Sequence, residues 1–203
     1  MAQTAVQTFY RYHAYVYDWT RWTILHGRRR AVEQLSLRPD SDVLEVGCGT
    51  GLNFAYALRK LDARGRLTGL DFSADMLRRA ARRVAAHAWS NVELRQDDAS
   101  QMRLGRLFDA ILFAYSLTMI PDWPAALRSA HEHLRPGGRL VVLDFSRFGS
   151  WGPMAPVMRQ WLRLNHVETL APYEDTLRSI FGQAQVTYWL GGYNFTAVAE
   201  RKA

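Results

Sequence analysis

Short apolar runs alternate with amphipathic stretches along most of the chain, and this alternation predicts strands separated by helices. From residue 42 onward, runs typical of buried strands are followed by stretches with the spacing of a helix that has one apolar face. The predicted strands cover residues 42–46, 67–70, 92–95, 110–113 and 140–143, and the predicted helices cover residues 52–61, 74–87 and 123–134. Helices of this length serve as crossover connections, so we expect the strands to lie mainly parallel in one sheet.

The C-terminal part of the chain has a different pattern. Residues 172–181 predict a helix, and two strand-like runs follow at residues 186–190 and 193–199. Gly191 and Gly192 separate these runs, and a glycine pair between two strands is typical of a hairpin. We therefore expect the sheet to end in an antiparallel pair.

Two further segments are rich in aromatic residues and arginine. Residues 6–35 have a helical pattern with closely spaced tyrosines and tryptophans, so we expect residues 1–35 to form a helical cap. Residues 146–170 combine tryptophan, methionine and arginine with prolines and glycines, which predicts a lid-like insertion with an irregular start.

The composition indicates one compact domain. The chain has 203 residues, of which 48 % are hydrophobic, and we expect a single domain over residues 1–203. No apolar run approaches the roughly 20 residues that cross a bilayer, and the first residues lack the pattern of a signal peptide, so we expect a cytoplasmic protein. Cys48 is the only cysteine, which excludes an internal disulfide, and no histidines at ligand spacing accompany it, so we expect no metal site.

The formal net charge of +7 suits a partner that carries phosphates, either nucleic acid or an anionic membrane surface. Lys60 and Lys202 are the only lysines, so nearly all of the positive charge is arginine, and the base composition of a genome can also produce such a bias. The charge alone leaves both explanations open. Because the chain has no tail of clustered basic residues, we expect no nucleic-acid partner.

A glycine-rich turn follows the first predicted strand directly and leads into a helix. Gly47, Gly49 and Gly51 let backbone amides approach a ligand closely, and the start of a helix adds N–H donors without intrahelical partners. The spacing Gly-x-Gly-x-Gly differs from that of the dinucleotide fold, and no Gly-Lys-Ser/Thr follows as in a phosphate-binding loop. The loop by itself fits a dinucleotide or S-adenosylmethionine.

Acidic residues follow the next two strands. Asp71 ends the second strand, where a carboxylate can accept hydrogen bonds from both hydroxyls of a ribose. Ser73 fits the N-cap of the following helix better, which leaves Asp71 free for that role. Asp97 and Asp98 follow the third strand, where either can accept from the exocyclic amine of adenine, and we favour Asp98 by its position.

Five motifs in order resemble those of the class I S-adenosylmethionine-dependent methyltransferases. They are residues 44–51 (LEVGCGTG), 69–73 (GLDFS), 98–99 (DA), 108–110 (FDA) and 134–138 (LRPGG). The resemblance covers about residues 40–145. It implies an α/β, Rossmann-like fold whose mostly parallel sheet has seven strands, with helices on both faces, an antiparallel last strand and the aromatic N-terminal helix as a cap.

The resemblance also implies the cofactor, S-adenosyl-L-methionine, whose product is S-adenosyl-L-homocysteine. Gly47, Gly49 and Gly51 would lie under its methionine part, Asp71 on the ribose, Met76 beside the adenine and Asp98 on the adenine amine. We expect further cofactor contacts from residues in or near the motifs: Tyr17, Glu45, Thr50, Phe72, Ala99 and Tyr115.

More narrowly, the chain resembles bacterial N-methyltransferases that trimethylate amino-lipid head groups, making phosphatidylcholine from phosphatidylethanolamine or betaine lipid from diacylglyceryl homoserine. This resemblance rests on residues 17–22, 27–28, 113–123, 144–145 and 191–193. Tyr-Asp near the start also occurs in quinone and small-molecule methyltransferases, so a quinone or a soluble small molecule stays the alternative acceptor.

For a lipid acceptor we expect a peripheral protein on the inner face of the membrane. Residues 1–35 would contact an anionic membrane surface, with packing over the cofactor as the alternative, and Arg21 and Arg147 would bind the phosphate or carboxylate of the head group. An ammonium acceptor must lose a proton, which His13 could take. Tyr15, Tyr17 and Tyr115 would orient the amine and hold the growing cation through their rings.

Overall fold

The computed structural model describes residues 26–165 and 167–202. The helices are α1 (Arg28–Gln34), α2 (Phe54–Leu58), α3 (Ala74–Ala86), α4 (Trp123–His133), α5 (Met154–Leu164) and α6 (Tyr173–Phe181), with a 3₁₀ turn at Leu117–Met119. The strands are β1 (Asp42–Val46), β2 (Arg66–Asp71), β3 (Val92–Gln96), β4 (Phe108–Ala114), β5 (Leu134–Phe145), β6 (Gln185–Trp189) and β7 (Asn194–Glu200).

The strands form one seven-stranded sheet in the order β3-β2-β1-β4-β5-β7-β6. Strands β1 to β5 are parallel to one another, and β7 is antiparallel to both β5 and β6. This architecture confirms the predicted α/β, Rossmann-like fold with an antiparallel last strand.

Helices cover both faces of the sheet. Successive residues of a strand point to opposite faces, so each strand contributes side chains to two cores. On one face, Val43 and Leu112 pack in a core with residues of α1, α2, α3 and α5. On the other face, Leu44 and Ile111 pack in a core with residues of α4 and α6. The central strands are therefore buried on both sides, which explains their nearly continuous apolar runs.

Several predicted boundaries are wrong. The helix expected over residues 52–61 is only the five-residue α2, and β5 extends well beyond residues 140–143 at both ends. The N-terminal helix does not run unbroken to residue 35, because Gly27 has a φ of +88° and α1 begins after it. The insertion at residues 146–170 contains the regular helix α5, and the expected cap before residue 26 lies outside the described residues.

The fold brings four loops to one edge of the sheet. In neighbouring parallel strands the carboxyl ends lie at the same edge, so the residues that follow β1, β2, β3 and β4 are neighbours there. The antiparallel β7 begins at this edge, where Asn194 pairs with Phe145 at the end of β5.

Candidate active site

The glycine loop after β1 has the geometry that its sequence predicts. Gly47 and Gly49 have φ values of +67° and +56°, in the left-handed region that favours glycine. A Cβ on Gly47 would lie 2.5 Å from the Cβ of Ser116, whereas a Cβ on Gly49 would meet no atom within 4 Å. The Cys48 amide donates to the Leu70 carbonyl at 2.9 Å and anchors the loop to β2. The loop is thus packed on one side and open on the other.

A pocket lies at the carboxyl edge of the sheet, against the open side of the glycine loop. The predicted cofactor residues in its wall are Gly47, Gly49, Thr50, Asp71, Phe72, Met76, Asp98, Ala99 and Tyr115. Asp97, the alternative to Asp98, also lines it, and lining residues that were not predicted include Arg28, Cys48, Leu52, Asn53, Ser116, Met119, Ile120 and Pro121.

Gly51 and Glu45 do not line this pocket, in contrast to the prediction. Gly51 has a φ of +74°, and a Cβ there would lie 2.6 Å from the ring of Phe54, so this glycine serves the packing of the loop on α2. Glu45 is buried beneath the loop, and its link to the pocket runs through Asn53.

Asp71 is already hydrogen bonded at both carboxylate oxygens, so it is not free as expected. Its Oδ2 accepts from the Gly49 amide at 2.8 Å and its Oδ1 from the Ser73 amide at 2.9 Å. Burial raises the pKa of Asp71, and these two bonds act against that rise. Each carboxylate oxygen can accept more than one hydrogen bond, so Asp71 can hold the loop and still accept from a ribose. Ser73 caps α3 as predicted, its Oγ accepting from the Met76 amide.

Asp97 and Asp98 both line the pocket after β3. Asp97 Oδ1 accepts from the Asp98 amide at 2.8 Å, and Asp98 Oδ1 accepts from the amide and the hydroxyl of Ser100 at 2.9 Å and 2.7 Å. Each carboxylate therefore has a fixed orientation at the pocket wall. The preference for Asp98 as the partner of the adenine amine stays a prediction.

Glu45 and Asn53 form a buried polar pair behind the glycine loop. Asn53 Nδ2 donates to Glu45 Oε1 at 2.7 Å, and both side chains are almost fully buried. Burial raises the pKa of Glu45 to about 7, although the bond from Asn53 and the positive charge of Arg28 lower it. The Asn53 Oδ1 is buried without a hydrogen-bond partner among the described residues, so it is an acceptor available to a ligand with an N–H group.

Asp144, at the end of β5, fixes the turn after β4 that closes the pocket. Its carboxylate accepts from the Thr118 hydroxyl at 2.7 Å and from the Thr118 amide at 3.1 Å. Burial raises the pKa of Asp144 to about 6 in spite of these bonds. The 3₁₀ turn is therefore held to the sheet next to Met119 and Ile120 of the pocket wall.

Tyr115 lines the pocket with a φ of +57°, a strained conformation for a tyrosine. Its hydroxyl donates to the His26 carbonyl at 2.6 Å and accepts from Asn194 Nδ2 at 2.8 Å. Burial raises the pKa of Tyr115 further above its ordinary value. The hydroxyl thus joins His26, before α1, to Asn194 of β7, and Tyr115 contributes to the pocket wall.

Of the other predicted acceptor residues, only Arg147 is among the described residues, and it does not line the pocket. Arg147 lies exposed after β5, and its carbonyl accepts from Arg159 Nη1 at 2.9 Å. Four predicted residues lie outside the described residues: His13, Tyr15, Tyr17 and Arg21.

An apolar groove lies beside the pocket at the same edge of the sheet. It is lined by His26, Trp151, Val157, Met158, Trp161, Leu190 and Tyr193. Ring contacts connect it to the pocket, because Phe145 lies 4.9 Å from Tyr115 and 5.7 Å from Tyr193 between ring centroids. Tyr193 in turn stacks on Trp151 at 5.7 Å.

The pocket residues fit S-adenosylmethionine. Asn53 Oδ1 can accept from the ammonium of a methionine group, Asp71 from ribose hydroxyls and the aspartates after β3 from an adenine amine. Within residues 26–165 and 167–202, no cluster of histidine, cysteine and carboxylate side chains is suited to a metal ion. Over the same residues, no helix has the length and hydropathy needed to cross a bilayer.

Comparison with known proteins agrees with this site. Residues 43–138 match a family described as a methyltransferase domain. The demethylmenaquinone methyltransferase of Lactiplantibacillus plantarum is 34 % identical over 139 residues, which are 67 % of this chain and 57 % of that relative. The chain therefore spans little more than half the length of this curated relative.

Solved structures share the fold. A SAM-dependent methyltransferase from Aquifex aeolicus superposes with a TM-score of 0.70 at 18 % identity, over 92 % of this chain and 95 % of that chain. The Haemonchus contortus phosphoethanolamine N-methyltransferase 2, solved with S-adenosylhomocysteine, gives a TM-score of 0.73 at 13 % identity, over 87 % of this chain and 52 % of that chain. At these identities the likeness concerns the fold alone.

Proposed function

We propose that this chain is a class I S-adenosylmethionine-dependent methyltransferase, which its fold, its glycine loop and its family match support, and that it methylates an apolar quinone-type ring. The observation that carries the acceptor is the apolar groove joined to the cofactor pocket through Tyr115, Phe145 and Tyr193. The similarity to a demethylmenaquinone methyltransferase supports the same acceptor. The quinone, which sequence analysis keeps as the alternative, thus has more support than the lipid head group.

In this proposal the residues of the chain bind the cofactor, orient the acceptor and exclude water. The bound cofactor supplies an electrophilic methyl group, which reacts with an electron-rich atom of the acceptor. Asp71 would bind the ribose and Asn53 the ammonium of the methionine part, and Tyr115 in the pocket wall is in ring contact with Phe145 next to the groove. A dry, aligned site of this kind lowers the barrier by positioning.

The acceptor is best methylated in its reduced form. A quinol ring is richer in electrons than a quinone, so it reacts better with an electrophilic methyl group. The groove contains no carboxylate among its lining residues, which favours an uncharged ring over an ammonium group. The ring carbon that gains the methyl group loses a proton in return.

Methylation of a lipid amine is the second candidate. Trp151, Trp161 and Tyr193 line the groove together, and aromatic side chains bind methylated ammonium groups through their electron-rich faces. This arrangement supports the expected lipid acceptor, with the groove aromatics in the role predicted for Tyr15, Tyr17 and Tyr115. Both candidates use the same cofactor pocket.

One labelling experiment separates the candidates. The full chain is incubated with methyl-labelled S-adenosylmethionine and either short-chain demethylmenaquinol kept reduced with dithionite, phosphatidylethanolamine or diacylglyceryl homoserine. We expect label in the quinone extract and markedly less label with Asp71→Ala. Label in a lipid extract alone would favour the amine acceptor, and an absence of label despite calorimetric binding of S-adenosylhomocysteine would reject both.

A further inference from the structure

An exposed apolar strip runs along the outer face of α5. Met154, Val157, Trp161 and Leu164 have exposed fractions of 57 %, 61 %, 49 % and 68 %. At about 100° per residue they lie within roughly a quarter of the circumference of the helix. Ala155 and Leu162, on another side of the helix, are buried against the domain. The strip is thus a second apolar face that the fold of the described residues leaves uncovered.

The strip continues into the groove and onto the hairpin between β6 and β7. Val157 and Trp161 belong both to the strip and to the groove wall. Leu190, with an exposed fraction of 62 %, lies next to them, and its carbonyl accepts from Trp151 Nε1 at 3.0 Å. Contiguous exposed apolar surface of this kind usually marks contact with a partner or a membrane.

The positive charge around the strip indicates which kind of partner binds it. Residues 145–167 contain Arg147, Arg159 and Arg163 and no aspartate or glutamate. Arg163 is exposed and donates from Nη2 to the Gln160 side chain at 2.8 Å, and Gln160 lies between Arg163 and the strip around the helix. Tryptophan and arginine together with aliphatic side chains suit the interface of an anionic bilayer.

We propose that the α5 strip docks on the surface of an anionic lipid bilayer, with Met154 and Leu164 in the acyl boundary and the arginines at the head groups. In this orientation the groove opens toward the membrane, from which an apolar acceptor can enter. Docking itself depends only on the strip and its charges, so it stands apart from the identity of the acceptor.

The test is sedimentation of the full chain with vesicles of phosphatidylglycerol and phosphatidylcholine in equal amounts, and with vesicles of phosphatidylcholine alone. We expect binding to the anionic vesicles, reduced about ten-fold or more in the double variant Met154→Gln/Leu164→Gln, because two apolar anchors are lost without a change of charge. Arg163→Gln should weaken binding less and reduce its salt dependence.

Leu107→Gln is the matched control, since Leu107 is also exposed but precedes β4 at the opposite edge of the sheet. This variant should bind vesicles like the unchanged protein. Met154 and Leu164 do not line the cofactor pocket, so melting temperature and affinity for S-adenosylhomocysteine should be unchanged in the double variant.

Three results would overturn the proposal. The unchanged protein could fail to sediment with anionic vesicles, or the double variant could sediment equally well. Light scattering could also show that the double variant converts a dimer to a monomer while vesicle binding persists, which would assign the strip to a second copy of the chain. None of these readouts depends on methyl transfer, so the docking proposal can be rejected without rejecting the proposed function.

Discussion

Asp71 connects the glycine loop with the helix after β2 before any cofactor is present. Because its two oxygens hold the Gly49 and Ser73 amides at 2.8 Å and 2.9 Å, the carboxylate has a fixed orientation. A ligand that binds the carboxylate in this orientation avoids the entropic cost of ordering the side chain. Asp71 thereby fixes the loop conformation, and we expect the same carboxylate to bind the ribose.

Replacement of Asp71 with alanine should weaken binding of S-adenosylhomocysteine at least ten-fold. The change removes a charged acceptor and releases the Gly49 amide, and a charged hydrogen bond contributes about 1.5–3 kcal/mol. Isothermal calorimetry measures the affinity. Asp175→Ala, which removes an exposed carboxylate from the first turn of α6, should leave it unchanged. Equal affinities of the two variants would show that Asp71 does not contribute to cofactor binding.

Asn53 should contribute to binding only when the ligand has an amino acid part. Asn53→Leu removes the buried Oδ1 acceptor, and we expect about five- to ten-fold weaker binding of S-adenosylhomocysteine, in line with the loss of one hydrogen bond. Adenosine, which lacks the methionine part, should bind this variant and the unchanged protein equally. A parallel loss for adenosine would mean that the variant has disturbed the whole pocket.

Glu45 should make the cofactor-free protein less stable as the pH rises. Its pKa is raised from 4.5 to about 7, so between these values the folded state keeps a proton that the unfolded state has lost. The stability from this group is complete below about pH 4.5, falls as the pH rises to about 7 and then stays level.

Urea unfolding at pH 5 and pH 7.5 checks this effect, which we expect on the order of 1–3 kcal/mol. Glu45→Gln keeps an oxygen that can accept from Asn53 and should remove the part of the pH dependence due to this group. An identical pH dependence in the variant would show that Glu45 is not the source.

The roles of Asn53 and Arg28 could not be derived from the sequence. In the sequence, Asn53 is an ordinary polar residue just after the glycine loop. Only the fold shows that its side chain is buried against Glu45 and faces the pocket. Arg28 lies far from the loop in the chain and enters the pocket wall through the packing of α1. The spacing of glycines and aspartates, by contrast, indicated the cofactor site because each residue follows a strand.

At the scale of elements, the loops after β1 and β4 constrain each other. Gly47 lies against Ser116, whose Oγ donates to the Val46 carbonyl at 2.7 Å. The two loops are therefore packed without space for a side chain between them. Residue type at position 47 is limited by this contact as well as by its φ of +67°.

Gly47→Ala should destabilise the protein by about 1–3 kcal/mol more than Gly49→Ala. Both glycines have positive φ, so both variants are strained, but only a Cβ at position 47 meets an atom, at 2.5 Å from Ser116 Cβ. The midpoints of urea unfolding give the difference. Similar midpoints would indicate that the loop after β4 moves to relieve the contact.

Most strands and connecting helices were predicted close to their bounds, and the exceptions α2 and β5 have physical reasons. Strands buried on both faces need continuous apolar runs, and such runs are visible in the sequence at residues 42–46 and 110–113. The apolar spacing around α2 extends beyond the helix itself, because Leu52 before it lines the pocket and Leu61 after it packs on the core. At the start of β5, residues 136–138 (PGG) resemble a turn, although the structure places them within the strand beside a register shift.

At the scale of the whole molecule, the sheet order predicts a gradient of local stability. Strands β1 and β4 lie in the middle of the sheet and are buried on both faces, whereas β3 and β6 are its edges. Hydrogen exchange should be slowest in β1 and β4 and faster in β3 and β6, because edge strands open without separating the cores. Equal protection in β6 and β4 would contradict this order.

The position of β7 between β5 and β6 has a consequence for synthesis on the ribosome. Within the sheet, β6 pairs only with β7, and β5 obtains its second neighbour only from β7. Until residues 194–200 have emerged, the backbone groups on one side of β5 and those of the β6 segment therefore lack their hydrogen-bond partners in β7. Both segments can then pair with other chains. Molecular chaperones would have most to protect in this interval.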